Sequence, residues 1–374
     1  MTIIKVKSRG TDNVAGGGRR NLLINGGMQV AQRGLARTSS DNSWEGFVTV
    51  DRWSFRWNNS VSGVATISQE SGAGAPTGFG NYFKVNVGTA NNSMGSSTTD
   101  WVYMYQPIEA QNLQKLKYGT SSAEKLTLSF YAKRVGTWGQ SQNISVGLQT
   151  ADGTPEYINA SVTTQTTWTR HVVTFNGSTS ATINNDNGLG MNVFISLAGS
   201  QSGTYAGAAS TSWSTTRQDF DNQIGNVLSS TANEFHITGL QLEIGDSATD
   251  FEHRTFAEEL LLCQRYFYKV QGVNSDRPGI GGYVVGTNEA RMDVVFPCAM
   301  RAAPTIGGTG TAQFDAHTDS ADFNCSAIII DEVGTDIVTS LGIQIATSGM
   351  VNGQSGGMRF RSSGSSLSFS AELP

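Results

Sequence analysis

The sequence predicts an all-β protein, and three observations carry that prediction. Apolar residues recur in short runs with a period of two, the mark of half-buried strands. Clusters of Gly, Ser, Thr and Asn divide the runs: the 374 residues include 44 glycines, and only 15% are charged. Average globular chains have about 7% Gly and about 25% charged residues. Only residues 255–269 show helical periodicity. The aromatic content, 9%, is too high for a disordered chain, and the length accommodates two or three domains.

Residues 1–20 hold a short strand-like piece (3–6) and a Gly-rich AGGGRR linker. Lys5, Lys7, Arg9, Arg19 and Arg20 make this segment basic, and it reads as an extended arm ordered by a neighbour. Residues 21–254 form a first β-sandwich domain. Inward-facing sets there are Phe83, Val85 and Val87; Leu126, Leu128, Phe130 and Ala132; and Met191, Val193, Ile195 and Leu197. In the last strand Phe235 and Ile237 share one parity, whereas Leu240, Leu242 and Ile244 share the other. A bulge at Gly239 would return all five to one face. Residues 255–271 then form a connecting amphipathic helix. Thr255 and Glu258 stand at capping-box spacing, and the stripe Phe256, Leu260, Cys263 and Phe267 is to be buried. Residues 272–374 form a second β-sandwich, opened by a turn-rich linker at 272–278. Its strands are expected at 283–285, 291–296, 325–331, 341–346 and 367–371, with Pro297 ending the second of them.

Composition excludes several classes of function. A net charge of −5 and a pI near 5.4 argue against a bulk electrostatic grip on nucleic acid. No apolar run approaches the roughly 20 residues of a membrane span, and the N-terminus has no signal-peptide core. Cys263, Cys298 and Cys325 have neither disulfide-framework nor zinc spacing and read as free thiols. His171, His236, His253 and His317 show no ligand pairing, so structural roles are expected. GQSGG at 353–357 matches a nucleophile elbow in letters only, being read as a loop with no following helix. Asp315, Asp319 and Asp322 lack calcium-loop spacing. Asp219 with Asp221, and Asn184 with Asp186, are the pairs that could offer oxygens to a structural calcium. The expectation is a protein with no catalytic residues, cofactor or nucleotide site.

Two aromatic rows stand out. Trp53, Phe55 and Trp57 alternate on one strand, and Trp101, Tyr103 and Tyr105 on another. Flat aromatic faces stack on pyranose rings, which makes Trp53, Trp57, Trp101 and Tyr103 the candidate glycan-stacking residues. The competing reading places both rows in the core, with Ser54, Arg56 and Gln106 opposite, and the pattern favours burial.

FHITGLQLEIGDSATDFEHRTFAEELLLCQRYF at 235–267 resembles the strand-to-helix junction of tail-fibre and fibre-like virion proteins of tailed bacteriophages. NLLINGGMQVAQRG at 21–34, followed by Asp51-Arg52-Trp53, is similar to the opening of their carbohydrate-binding-module-like jelly roll. Weaker matches are LTLSFYAK at 126–133 and TWTRHVVTF at 167–175. The resemblance spans roughly residues 21–270, and it selects the jelly roll among sandwich folds. It implies a non-enzymatic virion protein, assembled in the host cytoplasm and exposed on the particle. Such a protein is a tail fibre or fibre-like appendage, attached to other virion proteins through residues 1–20. Homotrimers and host-surface glycan recognition are usual in such fibres. The alternatives are a head-decoration or cement protein without receptor binding, and a polysaccharide-degrading enzyme.

Overall fold

The structure, a computed structural model, describes residues 19–38, 43–58, 64–94, 99–310, 313–319, 321–333 and 338–374. The expected arm, residues 1–20, lies outside them apart from Arg19 and Arg20. The chain divides into two compact units, Met1–Thr255 and Phe256–Pro374.

The strands of the first unit are β1 (Ala36–Thr38), β2 (Ser43–Phe47), β3 (Ser54–Asn58), β4 (Val64–Ser71), β5 (Asn81–Thr89), β6 (Trp101–Glu109) and β7 (Leu126–Val135). They continue as β8 (Asn143–Thr150), β9 (Tyr157–Thr163), β10 (Thr169–Phe175), β11 (Leu189–Gly199), β12 (Ala206–Gly207), β13 (Phe220–Asp221) and β14 (Glu234–Ile244). One six-stranded sheet runs β1-β4-β5-β14-β7-β10 and a second runs β2-β3-β6-β11-β8-β9. The chain crosses repeatedly from sheet to sheet, as in a jelly-roll sandwich. The inward sets expected from alternation, on β5, β7 and β11, all enter one core with Phe55, Val102 and Met104.

The parity switch in β14 is a bulge. Its pairing with β7 slips between Thr238 and Gln241, and Gly239 adopts φ +66°. Phe235, Ile237, Leu240 and Leu242 thereby share the core. Ile244, expected with them, is 36% exposed at the strand's end, where Gly245 begins the turn.

Beyond the bulge the chain's NLLING segment hydrogen-bonds to β14. Leu22 N donates to Leu242 O (2.9 Å) and Leu240 N to Gly26 O (3.0 Å). The Asn21 carboxamide accepts from Leu23 N and Leu242 N and donates to Leu240 O, each at 3.0 Å. Gly26 must lack a side chain here, because a Cβ would stand 2.0 Å from Leu240 O. Glu252 accepts from Arg20 N (2.6 Å) and Asn21 N (2.9 Å), while Arg254 donates to Asn21 O (2.9 Å) and Leu23 O (3.2 Å). Asp51 accepts from Gln32 N at 3.2 Å, and Trp53 Nε1 donates to Asn25 O at 3.2 Å. The two segments that carry the sequence resemblance are thus locked to each other as framework.

The second unit comprises α1 (Phe256–Gln264), β15 (Phe267–Gln271), β16 (Gly281–Val284), β17 (Glu289–Met300), β18 (Thr305–Gly308), β19 (Phe314–Thr318), β20 (Asp322–Asn324), β21 (Ala327–Val333), β22 (Val338–Ala346), β23 (Ser355–Phe360) and β24 (Ser366–Ser370). A three-stranded sheet, β15-β24-β18, and a seven-stranded sheet, β20-β19-β23-β16-β17-β22-β21, enclose a separate core containing Met292, Val294, Ile343, Phe360 and Phe369.

Four local expectations are corrected in this unit. The helix ends at Gln264 rather than 269, because Phe267–Gln271 pairs with β24 instead. Phe256 is 56% exposed, and the buried helix positions are Glu259, Cys263 and Gln264. Pro297 does not end its strand: β17 continues to Met300 through an irregularity in its pairing with β22, where a missing N–H is tolerated. Ser355 opens strand β23, paired with Tyr283, so GQSGG is not a loop and equally not an elbow before a helix.

Candidate functional site

Alternation sends the two aromatic rows in opposite directions. Trp53 and Trp57 are each 1% exposed and Phe55 is fully buried, all inside the jelly-roll core. They offer no ring face to a ligand, so the stacking assignment of Trp53 and Trp57 is corrected. On β6, Val102 and Met104 take the core positions, which turns Trp101, Tyr103 and Tyr105 to the outer face of the second sheet. The burial favoured for this row by its pattern is therefore not in the main core.

On that outer face the rings form a continuous cluster. Trp101 stacks on Tyr103 at 4.7 Å, Tyr103 meets Phe194 edge-on at 5.1 Å, and Tyr105 stacks on Phe194 at 5.9 Å. Phe194 was missed in the sequence, yet a signal was present: it breaks the inward parity of Met191, Val193, Ile195 and Leu197. The Arg56 guanidinium lies 4.6 Å over Tyr105, and Phe47 stands 6.4 Å from the same ring.

Register gives the rest of the face. Tyr105 pairs with Ser54 and Phe194, Phe194 with Gly147, and Gly147 with Asn159. This is one row across β3, β6, β11, β8 and β9. The close β8–β9 approach demands Gly147, since a Cβ would stand 2.8 Å from Ile158 O and 3.3 Å from Asn159 Cβ. The neighbouring row contains Asn192, whose Nδ2 donates to Gln149 Oε1 (3.3 Å), and Gln149 Nε2 donates to the Tyr157 hydroxyl (3.1 Å).

The segment between β11 and β14 straps this face. Ser196 Oγ donates to Asp219 O (3.1 Å), and Asp221 N donates to Ser145 Oγ (2.8 Å). Ser210 N donates to Asn159 O (3.2 Å), and Ser214 exchanges two backbone bonds with Tyr157. Phe220 is fully buried against Gly199. Arg217 grips Asp219 through three hydrogen bonds of 2.6–3.0 Å and lies 4.1 Å over Tyr205. Burial pushes the Asp219 carboxyl above its ordinary range, against the opposing pull of Arg217. Burial, then the Asp219 charge, holds the Tyr103 phenol far above its ordinary value. Under this cover Tyr103 and Tyr105 are 2% exposed and Phe194 6%, so the stacking assignment of Tyr103 is corrected as well, while Trp101 stays half-buried at the end of the run.

The other candidate residues have partners within the fold. His236 Nε2 lies 2.7 Å from Glu234 Oε2 and its ring stacks on Tyr82; burial depresses its pKa. Burial also depresses His171, beside Phe130. His253 packs on Phe79 and Phe251. His317 lies between Arg277 and Asp322, and Arg359 pairs with both Asp315 and Asp322. Asp221 accepts from Ala209 N and Gln223 N, while Asn184 is held by Asp152. Among the described residues no cluster of three His, Cys, Asp or Glu could hold a metal ion. The three cysteines are free thiols, and burial raises that of Cys325 to about 11.

No family model and no curated protein matches the chain. Among solved structures it is similar to the enzymatically active domain of tailspike protein 4 from bacteriophage CBA120, with 11% identity and a TM-score of 0.31 over 60% of this chain and 21% of that one. The chain thus spans about a fifth of that tailspike chain. It is similar to a putative sugar binding protein from Bacteroides thetaiotaomicron, with 13% identity and a TM-score of 0.32 over 60% of this chain and 100% of that one. It is also similar to a family 11 carbohydrate-binding module from Clostridium thermocellum, with 14% identity and a TM-score of 0.27 over 59% and 98%. At these identities and scores none of the likenesses bears on what this chain binds.

Proposed function

We propose that this chain is a glycan-binding, non-catalytic component of a tailed-phage particle, a fibre or fibre-like appendage that recognises the host surface. The observation that carries the binding reading is Trp101, half-buried at the end of the covered run Tyr103–Tyr105–Phe194 and stacked on Tyr103. Aromatic faces supply apolar contact to sugar rings and amides fix their orientation. The virion placement is supported by the sequence resemblance at residues 21–34 and 235–267. Attachment through residues 1–20 and a homotrimer belong to the same proposal, since shallow sites gain avidity through symmetry.

The test is binding of the full chain to a panel of purified host-surface glycans, read by calorimetry. Trp101→Ala is expected to weaken binding about tenfold, the loss of roughly 1.4 kcal/mol, with an unchanged melting temperature. Binding unaffected by that change, or release of oligosaccharides during incubation, would overturn the reading. Imaging of labelled particles locates the protein, and a position on the capsid lattice would replace the fibre with a head-decoration role.

A further inference from the structure

On this outer face several buried polar atoms have no partner in the protein. Asn159 is 1% exposed, and both its amide oxygen and its amide nitrogen lack a hydrogen bond. Asn192 is 6% exposed with Oδ1 unpaired, and Ser54, 1% exposed, has an unpaired hydroxyl. Buried polar groups are nearly always hydrogen-bonded, so three such residues on one sheet face require a reason. Register sets Asn159 and Ser54 at the two ends of the row that has Gly147, Phe194 and Tyr105 between them. Four inter-strand steps separate those ends, roughly 19 Å, the scale of a short oligosaccharide lying across the strands.

We infer that Asn159 and Asn192 read the hydroxyl groups of a neutral saccharide lying along this row, and that the strap, residues 205–219, moves aside to admit it. The inference rests on the glycan-binding reading above. An amide with both ends unpaired offers one acceptor and two donors, which matches adjacent ring hydroxyls, one donating and one accepting. Asn192 Oδ1 adds an acceptor one row away, and Phe194, paired with Gly147, supplies the apolar face. The unpaired groups are amides and a hydroxyl, without net charge, and the strap's Arg217 and Asp219 neutralise each other; the Arg56 cation lies at the far end of the row, over Tyr105, away from Asn159. An uncharged ligand fits this lining better than a uronic or sialic acid. The strap is anchored by Phe220 against Gly199 and by Trp213, whose Nε1 donates to Asn176 O at 2.6 Å.

The experiment uses the full chain with maltotetraose, cellotetraose and mannotetraose as neutral probes and sialyllactose as the charged contrast. Wild type and Asn159→Ala are titrated with each, and hydrogen exchange is followed with and without the best binder. Asn159→Ala is expected to weaken binding of the neutral probe about tenfold while melting at the same or a higher temperature, since it removes an unpaired buried group. The amides of Ser210 and Ser214, which bond Asn159 O and Tyr157 O across to the sheet, are expected to exchange faster in the bound state, whereas those of β8 and β11 do not. Unchanged affinity in Asn159→Ala, a strap more protected on binding, or a preference for sialyllactose would each overturn the inference alone. A purely structural Asn159 would show as a lower melting temperature with unaltered affinity. If wild type binds no glycan of either panel, the glycan-binding reading falls and this inference with it.

Discussion

A side chain at position 239 would meet two obstacles at once. The backbone there has φ +66°, a conformation costing a non-glycine residue roughly 1–2 kcal/mol, and a Cβ would stand 2.6 Å from the Phe79 ring. Gly239→Ala is therefore expected to destabilise the first unit by about 2–3 kcal/mol, measured as a lower urea midpoint with an unchanged slope. The bulge was legible because one extra residue shifts apolar parity by one, and a glycine at the switch supplies the backbone freedom that the extra residue needs. The direction of the aromatic rows was not. Trp53–Phe55–Trp57 and Trp101–Tyr103–Tyr105 have the same local pattern, and only the neighbours Val102 and Met104, buried in the core, send the second row outward. Asn159 gave no signal at all, because its meaning depends on the pairing of β8 with β9 and on the strap above it.

At the scale of elements, competition decided the boundary between α1 and β15. Tyr266, Phe267, Tyr268 and Val270 are aromatic and β-branched, and five residues of pairing with β24 outweigh one more helical turn. The 250–254 turn belongs to this scale too, as a clamp on the chain's entry into the first unit. Backbone N–H groups of Asn21 and Arg20, with Arg254, hold the Glu252 carboxyl below its ordinary value, although burial, the largest single influence, pulls it upward. A carboxyl whose folded pKa is depressed stabilises the fold above its unfolded value, near 4.3. That contribution is lost as pH falls through the folded value. Glu252→Gln is thus expected to lose about 1 kcal/mol at neutral pH, the modest worth of a partly exposed charge-assisted contact. The gap between wild type and variant should close below about pH 4 in acid titrations of stability.

For the whole molecule, the two units have separate cores, one built around Phe55, Phe130 and Phe235 and the other around Phe296, Phe314 and Phe369. Calorimetry of the full chain is expected to resolve two transitions, with Gly239→Ala lowering only one of them; a single transition shifted as a whole would show that the units unfold together. The all-β class followed from alternation alone. The second unit was less legible, because β18, β19, β20 and β23 are short or Gly-rich and take their identity from partners distant in sequence. The clamp that joins Arg20 and Asn21 to Glu252 and Arg254 has a last consequence, for inheritance rather than stability. It brings the chain at Arg20 and Asn21 within hydrogen-bonding distance of Glu252 and Arg254, so the sandwich from residue 20 to residue 254 enters and leaves at one place. A module built that way can be spliced into another chain, or exchanged for a homologous one, without stretching either flank. Recombination can then exchange the whole unit while leaving the host polypeptide's path unaltered.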